Sequence, residues 1–169
     1  MSKHLIAKNV ENIISEEFIR EKMYGVCLAA SVILQDQLEK FKIKSEMICG
    51  MLEGGSVRLL HFWNKIDDTI YDPTRNITLH YMGPRLNSVT FHFNAELQEI
   101  NSTADNDMLD LYFKIKNGGG APYYLNVAPP HLKTIYNRIT ERVNTLLKYY
   151  IKGDPKSNKQ KGKPGKILS

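Results

Sequence analysis

Residues 57–72 read VRLLHFWNKIDDTIYD, and the way this stretch turns back on itself decides the fold. Residues 57–66 have the apolar, aromatic character of a strand, Asp67 and Asp68 are turn formers, and Thr69 to Asp72 make a short returning strand. A turn symmetric about Asp67-Asp68 places Trp63 opposite Asp72 and His61 one diagonal step away. Opposed and diagonal neighbours share a face. His61 and Asp72 can then meet through a hydrogen bond from a ring nitrogen to the carboxylate, which fixes the tautomer and leaves the second nitrogen for another group. A turn of odd length would send Asp72 to the other face.

Upstream, residues 43–52 also look extended and are separated from this hairpin by Glu53-Gly54-Gly55-Ser56, which gives a three-stranded antiparallel meander. A turn symmetric about Gly54-Gly55 opposes Ile48 to His61 and Cys49 to Leu60, so Cys49 faces away from His61. The chain has one other cysteine. Cys27 heads a series of Cys27, Ala30, Leu34, Leu38 and Phe41, with Gln35, Asp36, Gln37, Glu39 and Lys40 on the opposite face, which predicts an amphipathic helix starting near Cys27. The unpaired N–H groups and dipole of a helix start favour an anion placed there. Tyr24-Gly25 just before it supplies a flexible glycine for chain entry. On its own Cys27 reads better as a small buried hydrophobe. The His61 and Asp72 pairing turns the reading toward a thiol nucleophile, because only Cys27 has both a helix start and a partner.

Around this core, Val10, Ile13, Ile14 and Phe18 predict a packing helix over residues 10–23, with Glu11, Glu16, Glu17 and Arg20 on its other side. Val89 to Phe93 and Leu111 to Lys116 alternate as strands. Gly118-Gly119-Gly120 with Pro122 reads as a loop, either a plain connection or one that shapes substrate access; it lacks the Lys-Ser/Thr of a phosphate loop. Pro129-Pro130 precedes a helix whose stripe is Leu132, Ile135, Ile139, Val143, Leu146 and Tyr150, ending before Gly153. The class is α+β, with N-terminal helices on an antiparallel sheet and a C-terminal amphipathic helix.

Bulk properties bound the rest. At 169 residues and 42% hydrophobic, the chain suits one domain, assigned to residues 1–151. Two cysteines make no disulfide framework, and the first apolar stretch is broken by Lys8, Asn9, Glu11 and Asn12, so a soluble, cytoplasmic protein without a transmembrane segment is expected. The net charge of +5 resides in residues 152–169, where Lys152, Lys156, Lys159, Lys161, Lys163 and Lys166 face one acid, Asp154. That segment is rich in Gly, Pro, Ser, Asn and Gln and is expected to be a disordered basic tail. It serves either solubility or weak contact with nucleic acid or an anionic surface. His80, His92 and His131 lack a zinc spacing, so no metal and no cofactor are expected.

Four separated elements together resemble the core of the transglutaminase-like superfamily of papain-like thiol enzymes. These are Tyr24-Gly25-Val26-Cys27 leading a small-residue helix, an extended segment ending at Gly50, His61-Phe62-Trp63, and Tyr71-Asp72-Pro73-Thr74. The superfamily includes transglutaminases, peptide N-glycanases and thiol peptidases. The resemblance covers residues 24–74 and departs from many transglutaminases at Leu28, where they carry Trp, and in the short interval from His61 to Asp72. It implies a papain-like fold with Cys27 as nucleophile, His61 as base and Asp72 as orienting acid. Tyr24 and Trp63 are candidate substrate-binding residues; Trp63 either covers the triad or simply packs, and Tyr24 and Asn12 are candidate second oxyanion donors. The expected reaction is attack on an amide carbonyl of a protein or peptide substrate through a Cys27 thioester, with water favoured as acceptor, since the chain offers no calcium-binding loop. Transglutaminase or deamidase activity is the alternative, and a catalytically silent binding module using the basic tail is the third.

Overall fold

The computed structural model of the chain describes residues 2–23, 25–54, 57–75, 77, 92–94 and 103–152. Tyr24, His80, residues 89–91 of the expected fourth strand and residues 153–169 of the expected tail lie outside them. The elements in chain order are α1 (Lys3–Arg20), α2 (Cys27–Glu39), β1 (Glu46–Gly54), β2 (Val57–Ile66), β3 (Thr69–Tyr71), β4 (His92–Asn94), α3 (Thr103–Gly118), α4 (Gly120–Val127) and α5 (Pro130–Lys152). Helices and one antiparallel sheet make an α+β architecture.

The sheet has the order β3-β2-β1-β4. The second hairpin keeps the register that its acidic turn demands, Ile66↔Thr69, Lys65↔Ile70 and Asn64↔Tyr71. The first hairpin is slipped by two residues from the sequence expectation: Ile48 opposes Trp63, Cys49 opposes Phe62 and Gly50 opposes His61. Gly54 is a strand residue paired with Val57 rather than part of the turn, which moves every pair. Because side chains alternate with a period of two, a slip of two keeps each on its face, and Cys49 still points away from His61. β4 joins the free edge of β1 through Met51↔Asn94, Leu52↔Phe93 and Glu53↔His92.

α2 is the hub, packed against β2, β1, α1, α4 and α5. Every residue from Cys27 to Leu34 is buried, Ser31 included, so it is amphipathic only in its last turns. Such a helix derives its stability from tertiary burial rather than from one apolar stripe. α1 begins earlier than its apolar pattern suggested, with Ser2 Oγ accepting the Leu5 N–H as an N-cap, and adds Ala7 to the buried stripe of Val10, Ile14 and Phe18. The placing of Glu11 and Glu17 on its solvent side is corrected: they are 4% and 3% exposed, and each meets a partner from another element.

Two further expectations are corrected. Leu111 to Lys116 is helical, within α3, because the burial runs through Tyr112 and Ile115 while Phe113 is exposed, a spacing of three rather than two. The glycine run is a corner between two helices rather than a loop: α3 ends on Gly118, α4 starts on Gly120, and the chain turns through Gly119 at φ 156° and Gly120 at φ 57°. α5 buries Leu132, Ile135, Ile139 and Val143 as its stripe predicts. Arg138 and Arg142 on its flank clamp Glu17 of α1 at 2.9 Å each.

Candidate active site

Three elements converge on one cluster. Gly25 has φ 70°, a left-handed conformation that glycine takes without steric cost, and it turns the chain so that α2 begins at Cys27. Val26 precedes the helix with no side-chain cap, so no side chain there competes for the first-turn N–H groups. Cys27 therefore lies at the positive end of a buried helix.

His61 comes from β2 and Asp72 from the residue following β3. His61 Nε2 donates to Asp72 Oδ2 at 2.7 Å, with both side chains buried. This contact bears out the even-turn geometry argued from Asp67-Asp68. Cys27 is the second group close enough to act on the imidazole, raising its pKa together with Asp72. With Nε2 engaged by Asp72, Nδ1 is the nitrogen left for the sulfur. The structure thus brings Cys27, His61 and Asp72 together.

Asp72 also caps the helical turn of residues 73–75 that follows it. Its Oδ1 accepts the Thr74 N–H at 3.0 Å and the Thr74 hydroxyl at 2.8 Å, and its carbonyl oxygen accepts the Arg75 N–H at 3.2 Å. Asp-Pro-Thr is a legible signature for this, with the cap residue followed by proline in the first helical position. One carboxylate oxygen is thereby pinned by the chain and the other is aimed at His61.

The electrostatics favour a charged imidazole. Burial alone would depress the His61 pKa, but the hydrogen bonds of Asp72 and Cys27 and the charges of both outweigh it and push it up to about 10. Burial pushes the Cys49 thiol up to about 12, the nearby Cys27 adds to this, and Lys116 opposes it weakly. Tyr124 of α4 is likewise raised to about 12 by burial and by Cys27, which keeps a protonated phenol in the same neighbourhood.

Of the two candidate substrate-binding residues, Trp63 stacks on the His61 ring, with centroids 6.1 Å apart and planes 24° apart, and also meets Phe93 at 5.0 Å. Tyr24 lies outside the described residues. Asn12 is an exposed residue of α1. Sequence reasoning missed Phe93, 6.0 Å from the His61 ring, and the buried Glu11, whose Oε1 accepts the Asp72 backbone N–H at 2.6 Å. A signal for Glu11 existed: it follows Ala7 by four residues and precedes Ile14 by three, which puts it on the buried stripe. Among the described residues no group of three or more His, Cys, Asp or Glu could hold a metal ion, and no helix is long and apolar enough to cross a membrane.

No family model, curated protein or solved structure matches the chain.

Proposed function

We propose that the chain is a thiol-dependent amide hydrolase of the papain-like, transglutaminase-like kind, acting on a protein or peptide substrate, with Cys27 as nucleophile. The observation that carries this reading is the 2.7 Å contact from His61 Nε2 to Asp72 Oδ2 on a ring whose other partner is a cysteine at a helix start. A histidine held protonated beside a sulfur is a ready proton donor to the group that a thiol nucleophile displaces. In the reaction the Cys27 thiolate attacks the amide carbonyl carbon, and the first-turn N–H groups of α2 face the oxygen that gains charge. Collapse breaks the carbon–nitrogen bond, the leaving amine takes its proton from His61, and a thioester remains on Cys27. Water then attacks the thioester, gives its proton to His61, and releases the acid and the thiolate. Asp72 holds the ring orientation throughout.

An amine in place of water makes the same site a transglutaminase, and water on a glutaminyl thioester makes it a deamidase. A second reading, a binding module that retains the arrangement without turnover, is favoured by one observation: Cys27, His61 and Asp72 are only 7%, 6% and 4% exposed. Mass-spectrometric profiling of peptide and glutamine donors, with and without an added amine, separates all of these. The expected result is a hydrolysed peptide with the wild type and none with Cys27→Ala. Identical product profiles for the two proteins would contradict catalysis and leave the binding module.

A further inference from the structure

Asp72 stands one residue beyond the last pair of the second hairpin, Asn64↔Tyr71, at the end of a strand only three residues long. A strand that short gives its final residue little hold from the ladder. The main chain at Asp72 is instead gripped from α1. Its N–H donates to Glu11 Oε1 at 2.6 Å, and one helical turn further along α1 the Ser15 hydroxyl donates to the Pro73 carbonyl at 2.8 Å. Glu11 is itself held, since its Oε2 pairs with the Lys8 ammonium at 2.6 Å.

Building on the thiol reading above, we propose that Glu11 is a positioning residue: through the Asp72 backbone N–H it fixes the aim of the Asp72 carboxylate on His61. The other degrees of freedom of Asp72 are already taken. Thr74 holds Oδ1 by two hydrogen bonds, so Oδ2 can leave His61 only if the main chain of residue 72 moves. Glu11 opposes that movement with a charge-assisted bond in a water-excluded setting, where such bonds are strongest. Without it a buried N–H lacks its acceptor, and the end of β3 shifts to find another.

The test uses the full chain with three substitutions of Glu11 and, besides turnover, two readouts that melting alone does not move. Glu11→Ala removes the acceptor. Glu11→Gln keeps an oxygen at the same reach, and Glu11→Asp withdraws the carboxylate by one methylene. The first readout is the NMR titration of His61, assigned with His61→Gln; Asp72 and Cys27 are the titratable groups acting on this ring among the described residues. The second is the rate at which iodoacetamide alkylates Cys27. Glu11→Ala is expected to move the His61 midpoint down toward its ordinary range and to slow alkylation. Turnover should fall on the order of 100-fold, the scale of a displacement near 1 Å in a catalytic group. Glu11→Gln should restore most of each effect. If Glu11→Ala does not fold, Glu11→Asp carries the test, with the same direction expected. A wild-type His61 titration together with wild-type alkylation in either variant, whatever happens to melting, would overturn the proposal. Should His61→Gln leave Cys27 alkylation unchanged, the thiol reading fails by itself, and the His61 titration in the Glu11 variants still decides the role of Glu11.

Discussion

At the scale of single residues, the pairing of His61 with Asp72 was legible because it depends on a parity. The two acids Asp67 and Asp68 make an even turn, and an even turn puts both side chains on one face. The spacing of Glu11 put it on the buried stripe, but its role was not legible, because its partner is a backbone N–H sixty-one residues away that only the tertiary fold brings near. The charge state of His61 has a consequence for stability. Its pKa of about 10 in the fold exceeds its ordinary 6.5, so the folded state binds the proton more tightly than the unfolded chain. The stabilisation is complete below pH 6.5 and is lost as pH rises toward 10. Cys49 and Tyr124 act in the same direction, but only above their ordinary values of 9.0 and 10.0. Urea midpoints should therefore fall between neutrality and mild alkalinity, and His61→Gln should flatten that slope. An unchanged slope in His61→Gln would place the proton elsewhere.

At the scale of elements, the helices with a clear stripe and the meander were legible, whereas the junctions were not. Leu111 to Lys116 alternates well enough to pass for a strand, and only the tertiary contact of Tyr112, whose hydroxyl donates to the Met47 carbonyl at 3.1 Å, selects the helical face. The joining of α1 to α5 was hidden because Glu17, Arg138 and Arg142 are far apart in sequence. Burial opposes the charge on Glu17, but Arg138 and Arg142 hold its carboxyl below the usual range of 4.5. A depressed carboxylate contributes stability above its unfolded value and loses it as pH falls through the folded one. Glu17→Gln is expected to cost about 2 kcal/mol, as for other hydrogen bonds to charged groups. That is about 6 °C of melting temperature for a chain of this size. It should also shallow the acid limb of the stability profile. Melting and acid titration equal to wild type would mean that Glu17 adds nothing to the hold of α5 on α1, which would then rest on the apolar stripe and on pairs such as Asn9 with Tyr150 and Arg142 with Glu16.

At the scale of the whole molecule, the site exists only because distant parts of the chain close around it. Cys27 arrives on the central helix, His61 on a middle strand, and Asp72 at a strand end steadied by α1. The two cysteines provide an internal comparison, since both are free, buried and 7% exposed. Equal residue exposure makes them a matched pair in which to look for activation by the fold. Burial holds Cys49 as a neutral thiol with a pKa of about 12, while Cys27 has the helix start and the protonated His61 beside it. The decisive measurement is the rate of iodoacetamide alkylation at each cysteine at mildly acidic pH, read by peptide mass spectrometry for native wild type, native His61→Ala and urea-unfolded chain. Native Cys27 should react far faster than Cys49, His61→Ala should lose most of that advantage, and unfolding should equalise the two. Equal native rates, or a Cys27 rate indifferent to His61, would contradict the assignment of Cys27 as an activated nucleophile.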